Sequence, residues 1–188
     1  FGMSPFETVA AGFGIVSVFL STRQNIWSWP TSLINVTMYT VIFLQQKLYG
    51  LSGIQVFFAA VSVYGWYEWL HGGAHKTELK VSRTPPRLAG ILVAVGLLGW
   101  LGLFLILRLV DDASPLLDAF FFASSLVAQW MMARKLAECW LLWIAINCIS
   151  VPFFFLQHIY PTMVQYAVFL VLAVMGRSQW KASLAASS

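Results

Sequence analysis

Charged residues are scarce in this chain of 188 residues, where they make up 10% of all positions. A soluble domain carries about 25% charged residues, so this chain cannot cover a water-facing surface, and 60% of its residues are hydrophobic. We therefore predict an integral membrane protein. The net charge of +4 comes without a basic stripe interleaved with polar residues, so nucleic-acid binding is not expected.

Groups that perform chemistry are also few. The three histidines lie at span ends or in a loop, and the sequence has no HExxH and no Cys/His cluster, so neither a metal site nor a cofactor is predicted. None of the seven acidic residues falls at the middle of a span, where coupled transporters usually hold a carboxylate. The only two cysteines, Cys139 and Cys148, are too far apart along one helix for a disulfide and are expected to be buried and reduced. An enzyme is not expected.

Seven apolar stretches approach the roughly 20 residues that a membrane-spanning helix needs. They cover residues 3–21, 27–44, 48–70, 88–107, 115–133, 139–156 and 160–176. One clearly polar loop, residues 71–87, separates the third stretch from the fourth and contains two Gly and two Pro residues as helix breakers. The sequence therefore predicts an all-α membrane protein with seven transmembrane helices.

When the chain is aligned with itself so that Arg23 falls on Arg134, several other identical residues also coincide. We name this constant spacing the repeat offset. The same offset pairs Trp29/Trp140, Phe43/Phe154, Gln46/Gln157, Tyr49/Tyr160, Gly65/Gly176 and Trp69/Trp180. A period of this length indicates two structural units. We assign residues 1–70 and 111–188 to two three-helix bundles, and residues 71–110 to the polar loop and a linker helix. A single linker helix makes the two bundles parallel, as in one symmetry class of transporters.

Basic residues are distributed very unevenly between the two predicted sides of the membrane. One side holds Arg23, Lys76, Lys80, Arg83, Arg87, Arg134, Lys135, Arg177 and Lys181, and the other holds only Lys47 and Arg108. By the positive-inside rule, the richer side is cytoplasmic. The N-terminus is therefore predicted outside and the C-terminus inside.

Uncharged polar and aromatic side chains recur at helical spacing within the spans. The candidates are Asn35 and Tyr39 in the second span, Trp66 and Trp69 in the third, Gln129 in the fifth, and Trp143 and Asn147 in the sixth. Because an unsatisfied amide is costly in hydrocarbon, these groups must face other helices or a cavity. A cavity of this composition suits a small neutral or cationic ring that carries hydroxyls.

Two other interpretations apply to such residues. Ser32, Ser62, Gln55 and Gln165 are typical of interhelical hydrogen bonding without any ligand. Tryptophans near span ends are typical of anchors in the membrane interface, and on this basis Trp27, Trp29, Trp140 and Trp180 are predicted to be anchors.

Several strings resemble a known family. The segments WSWPTSLINVTMY (27–39), KLYG (47–50), YGWYEW (64–69), SLVAQWMMARK (125–135) and WLLWIAIN (140–147) are similar to bacterial PnuC-type nicotinamide riboside (vitamin B3) transporters, over nearly the whole of residues 6–181. That family is similar to the SWEET sugar transporters in its 3+1+3 arrangement of helices. The resemblance implies a bacterial inner-membrane protein that carries nicotinamide riboside by facilitated diffusion with alternating access. It also implies a homotrimer, and a cytoplasmic nicotinamide riboside kinase that traps the solute.

The family's paired Trp/Asn/Tyr motif maps onto Trp29, Asn35 and Tyr39 and onto Trp140, Trp143 and Asn147, with Ser150 or Val151 where the second tyrosine would stand. We expect the two asparagines, aided by Gln129 and Tyr39, to bind the ribose or the carboxamide. Trp66, Trp69 and Trp143 are expected to stack on the pyridinium. The alternatives are a sugar or other nucleoside facilitator and a membrane receptor or scaffold that transports nothing.

Overall fold

The computed structural model describes residues 4–45, 49–109 and 114–187. Within these ranges the chain forms seven α-helices, which confirms the predicted all-α class. The helices are α1 (Pro5–Thr22), α2 (Ser28–Gln45), α3 (Tyr49–His71), α4 (Pro86–Leu109), α5 (Pro115–Ala133), α6 (Cys139–Leu156) and α7 (Tyr160–Ser187). Met3, Gln46, Lys47 and Leu48, on which parts of the sequence prediction rest, lie outside the described residues.

Local sequence explains where several helices begin. The hydroxyl of Ser4 accepts a hydrogen bond from the backbone N–H of Glu7, and the Glu7 carboxylate accepts one from the backbone N–H of Ser4. This reciprocal cap satisfies two of the N–H groups that lack partners at the start of α1. Pro86 and Pro115 begin α4 and α5, a position where the missing N–H of proline costs nothing.

The last helix is longer than the apolar stretch 160–176 predicted as a span, because α7 continues to Ser187. Gly176 does not stop the helix but lies against the indole of Trp140, and a Cβ at this position would overlap that ring. The residues that follow include strong helix formers, Lys181, Leu184 and three alanines. The extension places Trp180 inside the fold.

Five helices, α1 and α4–α7, are long and apolar enough to cross a membrane. Helices α2 and α3, which the sequence also predicts as spans, are not in this group. Both carry polar side chains that pack inside the bundle, such as the Ser32 and Ser62 hydroxyls, which lie 3.1 Å apart between these two helices. Their crossing of the membrane stays a prediction.

Helices that are consecutive in the chain pack on one another within α1–α3 and within α5–α7, and α4 packs on α5. The main contacts between these groups, within the described residues, are α1 with α7 and α3 with α5. These two contacts are equivalent under the repeat offset, since α1 aligns with α5 and α3 with α7. Helix α4, which is described along its whole length, has no buried residue, so its apolar surface faces largely outward.

Two tryptophans are inserted against glycines in the same way. The Trp29 ring lies where a Cβ on Gly65 would be, and the Trp140 ring lies where a Cβ on Gly176 would be. The repeat offset relates both members of one pair to both members of the other. The two glycines let each ring pack against the backbone of the neighbouring helix, which any larger side chain would prevent.

One end of the bundle, which we name the basic end, carries the α1–α2 turn, the loop of residues 72–85 and the α5–α6 turn. The loop crosses onto the α5–α6 turn, where Ser82 exchanges backbone hydrogen bonds of 3.0 Å with Lys135 and Ala137. The Lys135 ammonium donates to the Leu79 carbonyl at 2.8 Å. Each short turn also has one residue with a left-handed backbone, Gln24 (φ 55°) and Lys135 (φ 49°).

The Glu138 carboxylate holds the C-terminal end of this loop in place. It accepts hydrogen bonds from the backbone N–H of Thr84 at 2.8 Å and from the Thr84 hydroxyl at 2.6 Å. Burial raises the pKa of Glu138, but the Thr84 hydrogen bonds and the nearby Arg83 lower the pKa more, so the net pKa is below the ordinary value of 4.5. The ionised carboxylate therefore stabilises the attached loop.

Acid is expected to loosen this loop. A carboxyl with a depressed folded pKa contributes stability above its unfolded pKa, and this contribution is lost as the pH falls through the folded value. Pepsin should therefore cleave residues 72–85 faster as the pH drops below 4.5, the ordinary pKa of the group, relative to the Glu138→Gln variant, which has no charge to lose. Parallel pH profiles for the two proteins would show that the carboxylate does not hold the loop.

Candidate functional site

A cavity of about 220 Å³ lies between α1 and α2 on one side and α5, α6 and α7 on the other. Its lining combines hydroxyl, amide, indole and other aromatic side chains with a few aliphatic ones. The lining residues are Gly14, Ser17, Val18, Ser21, Ser28, Trp29, Ser32, Asn35, Phe121, Ser125, Gln129, Met132, Trp140, Trp143, Ile146, Asn147, Tyr166, Phe169 and Ala173. None of these described residues is a Lys, Arg, His, Asp or Glu, so the cavity has no ionised side chain.

Residues related by the repeat offset face each other across this cavity. The pairs are Gly14/Ser125, Val18/Gln129, Ser21/Met132, Trp29/Trp140, Ser32/Trp143 and Asn35/Ile146. Only the Trp29/Trp140 pair keeps the same residue, and at the other positions one wall is polar where the other is apolar or much larger. The cavity is therefore symmetric in position and asymmetric in chemistry, which suits a ligand with two different ends.

Hydrogen-bond donors without partners are concentrated at this site. Within the described part of the chain, four buried side-chain atoms lack a partner: Ser28 Oγ and the Nε1 atoms of Trp29, Trp140 and Trp143. All four belong to residues that line the cavity. Because an unpaired buried donor costs about 1–3 kcal/mol, their concentration here indicates a place where a ligand or water supplies acceptors.

The two asparagines of the cavity are held in fixed orientations. The Asn35 amide donates to the Ala10 carbonyl at 2.7 Å, which ties α2 to α1. The Asn147 amide donates to the Trp143 carbonyl one turn earlier, also at 2.7 Å. One such bond uses only one of the four hydrogen-bonding positions of an amide, so each side chain is oriented without being saturated.

The sequence-predicted residues divide into two groups in space. Asn35, Gln129, Trp143 and Asn147 line the cavity together. Tyr39, Trp66 and Trp69 are not among its described lining residues. Whether the first group binds a ligand stays a prediction.

Each residue of the second group has other contacts. Tyr39 packs beside Phe43, with ring centroids 5.7 Å apart, and lies one turn beyond Asn35, further from the basic end. Trp66 is 37% exposed on the outer face of α3, whereas Trp69 is buried. The Trp69 indole donates a hydrogen bond to the Met132 carbonyl at 3.2 Å, and Lys135 lies over its ring at 4.5 Å.

The prediction that four tryptophans are interface anchors stays a prediction for Trp27, which is 65% exposed, and is wrong for the other three. Trp29, Trp140 and Trp180 are almost completely buried. Gly65 and Gly176 explain the burial of the first two. The space beside each glycine, which we name a glycine notch, admits a whole indole. The expected burial of both cysteines is likewise wrong for Cys148, which is exposed on α6.

Sequence reasoning missed most of the cavity wall nearest the basic end. Ser17, Ser21 and Ser28 line it there, and the Ser17 hydroxyl donates to the Ser28 carbonyl at 2.8 Å, which joins α1 to α2. Small serines carry no periodic signal of their own. The available signal was that a Trp and a Gly both recur at the repeat offset. Two residues that recur together in this way are expected to be in contact.

The positive charges closest to the site are at the basic end, outside the cavity lining. Burial lowers the pKa of Lys135, and the nearby Glu78 carboxylate partly opposes that change. The Arg134 guanidinium is paired with Glu68 at 3.1 Å. These cations are held by protein groups, so the cavity itself remains electrically neutral.

A family model described as "Nicotinamide mononucleotide transporter" matches residues 4–182. The chain belongs to this family. The nicotinamide riboside transporter PnuC of Escherichia coli (strain K12) is 33% identical over 206 aligned positions, which cover 96% of this chain and 86% of that protein.

Two further proteins similar to this chain are also transporters. The riboflavin/roseoflavin transporter RibM of Streptomyces davaonensis is 27% identical, with 89% of this chain and 80% of that protein covered. The crystal structure of the vitamin B3 transporter PnuC superposes with a TM-score of 0.77 at 25% identity, over 97% of this chain and 83% of that one. The family and its relatives are membrane transporters, not enzymes.

Proposed function

We propose that this protein transports nicotinamide riboside across the bacterial inner membrane by facilitated diffusion with alternating access. The observation that supports this most is the neutral cavity, in which unpartnered indole and hydroxyl donors surround a space lined by aromatic rings. Nicotinamide riboside joins a cationic pyridinium to a hydroxylated ribose. Aromatic faces attract the cation, and the amides and donors match the hydroxyls and the carboxamide.

The absence of ionised side chains from the described cavity lining favours the riboside over the mononucleotide. A phosphate requires Arg, Lys or several helix N-termini, and none of the lining residues supplies such a cation. The volume of about 220 Å³ is also below the roughly 300–1,000 Å³ of typical ligand pockets. A compact solute therefore fits better than a flavin, although a riboflavin transporter is among the similar proteins.

Within this proposal, Asn35, Asn147 and Gln129 bind the ribose or the carboxamide, and Trp143 stacks on the pyridinium. Trp29 and Trp140 contribute donors from the side of the basic end. Tyr39 lies outside the lining, and we assign it to the path between the cavity and the outer surface. Trp66 and Trp69 are assigned no direct contact with the solute.

Uptake in this scheme needs no coupling ion. Proton and sodium sites within membranes usually use buried carboxylates, and no Asp or Glu is present among the described lining residues. Phosphorylation by a cytoplasmic nicotinamide riboside kinase would add charge that this cavity cannot accommodate. The product would then be trapped inside the cell, which gives net uptake.

We assign the basic end to the cytoplasm by the positive-inside rule, which leaves the N-terminus outside and the C-terminus inside. Residues 1–70 and 111–188 are then two three-helix units that rock about the cavity, with residues 71–110 linking them in the 3+1+3 manner of SWEET transporters. The contacts α1–α7 and α3–α5, which join the units, would change during this motion. A homotrimer embedded in the lipid bilayer would leave the apolar surface of α4 for lipid or for neighbouring copies.

Calorimetric titration of the purified protein with nicotinamide riboside, its 5′-phosphate and riboflavin tests this proposal. We expect the riboside to bind and the phosphate to bind at least about 100-fold more weakly, because its charge would be buried without a partner. Uptake of the riboside into protein-loaded vesicles should follow. Equal binding of the phosphate, preference for a sugar or riboflavin, or binding without uptake would each contradict the proposal.

A further inference from the structure

Four buried indoles form a continuous row at the basic end of the cavity. Neighbouring ring centroids are 5.2 Å apart for Trp29 and Trp69, 6.1 Å for Trp69 and Trp180, and 5.5 Å for Trp180 and Trp140. Trp29 and Trp140 line the cavity, and the other two lie at the end of α3 and within α7. The row therefore separates the cavity from the basic end of the molecule.

Two indole hydrogen bonds hold this row together across the two halves of the chain. Trp69 Nε1 donates from α3 to the Met132 carbonyl of α5 at 3.2 Å. Trp180 Nε1 donates from α7 to the Ser21 carbonyl of α1 at 3.0 Å. The repeat offset relates the two donors and also the two acceptors, so the two bonds are equivalent. Each one crosses from one three-helix unit to the other.

We propose that Trp69 and Trp180 form the cytoplasmic gate of the transporter, and that their two hydrogen bonds are the latches that keep it closed. This inference rests on the proposed function for the direction of transport and for alternating access. The contact between Trp69 and Trp180 is the one place where the row passes from one unit to the other. The pairs Trp29–Trp69 and Trp140–Trp180 lie within single units, so rocking of the units separates the row at its centre.

The bonds connect the gate directly to the cavity. Ser21 and Met132, whose carbonyls accept the latches, also line the cavity. A solute that displaces their backbones therefore acts on the latches without any intermediate element. Further bonds between the units lie nearer the surface, such as Gln24 Nε2 to Ser183 Oγ at 2.8 Å and Arg134 Nη1 to Glu68 Oε2 at 3.1 Å. The indoles are closer to the solute than these surface bonds.

A cysteine reporter in the cavity tests the gate without any transported solute. Ser28 is 1% exposed and lines the cavity beside Trp29, so Ser28→Cys is introduced after Cys139→Ala and Cys148→Ala remove the native thiols. A membrane-impermeant thiol reagent with a quaternary ammonium cation, the sign of charge that aromatic faces attract, is then applied to either side of sealed vesicles. Labelling from the cytoplasmic side should be slow, because the indole row blocks the route.

Replacing an indole by phenylalanine removes a latch and keeps an aromatic ring. Trp69→Phe or Trp180→Phe should each speed cytoplasmic labelling by about fivefold, the effect of one lost hydrogen bond on a two-state equilibrium, and the double variant by more than tenfold. Trp100→Phe is the matched control. Its indole also donates to a backbone carbonyl, that of Leu116 at 3.0 Å, but it joins α4 to α5 away from the row.

Three results would overturn the gate. These are fast cytoplasmic labelling of the reporter with all four tryptophans present, unchanged labelling in both single variants with thermal unfolding like that of the control, and acceleration only from the outer side. Because labelling needs no solute, the measurement is independent of the titration. A protein that binds no nicotinamide riboside and yet shows the expected acceleration would retain this gate and lose the proposed solute.

Discussion

Replacing Asn147 by leucine should weaken nicotinamide riboside binding by about 10- to 100-fold, which corresponds to the loss of one or two hydrogen bonds to the solute. Asn147 lines the cavity and is only 3% exposed. Leucine has a similar size and cannot replace the amide. The bond from the Asn147 amide to the Trp143 carbonyl lies within α6, so its loss should leave the fold intact. Calorimetric titration measures the change.

Ser150→Ala provides the control for this substitution. Ser150 is equally buried on α6 and donates to the Ile146 carbonyl one turn earlier at 2.8 Å, but it does not line the cavity. Its loss should leave affinity unchanged. If Asn147→Leu also binds the riboside normally, Asn147 serves helix packing only, and the proposed ligand contacts must move to Asn35 and Gln129.

Adding a single methyl group at either tryptophan notch should destabilise the whole protein. In Gly65→Ala the new Cβ meets the Trp29 ring, and in Gly176→Ala it meets the Trp140 ring. Both rings are buried and packed against other indoles, so they cannot move aside freely. Overpacking of this kind costs about 1–3 kcal/mol. We expect a lower midpoint in thermal unfolding and loss of riboside binding, since both rings line the cavity.

Gly12→Ala and Gly102→Ala are the matched controls, because a Cβ at either position meets no described atom within 4 Å. Alanine is favoured over glycine in a helix by about 1 kcal/mol, so these variants should unfold at the same temperature as the parent protein or higher. Equal stability for all four variants would mean that the rings are not fixed in the notches.

The helices could be predicted from the sequence because hydrophobic length and helix breakers act locally. Pro115 and Cys139, for example, are the observed starts of α5 and α6. The end of α7 could not, since Gly176 signals a stop unless its role as a notch for Trp140 is known. The meaning of that glycine depends on a residue of another helix, far from it in the chain.

The candidate site was predictable where polar residues stand out from an apolar span. Asn35 and Asn147 are of this kind, and both line the cavity. Tryptophan is harder to assign, because its ring suits an interface, a core and a ligand equally well. Trp66 and Trp69 lie within one turn of the same helix, yet the first faces outward and the second is buried. Periodicity alone gives the face of a helix and not what covers it.

The pairing of residues across the cavity bears on how such a protein could change its solute. Trp29 and Trp140 are identical at corresponding positions, as are the glycines against which they pack. These residues fix the packing of the helices. Along the walls, pairs such as Val18/Gln129 and Ser32/Trp143 differ in size and polarity while the helix packing is the same. The positions that differ between the two walls can therefore set the preference for a solute, while the identical positions hold the helices and the shape of the cavity. One wall can acquire a new preference while the other keeps the old one, so related chains named for a riboside and for a flavin can share a single scaffold.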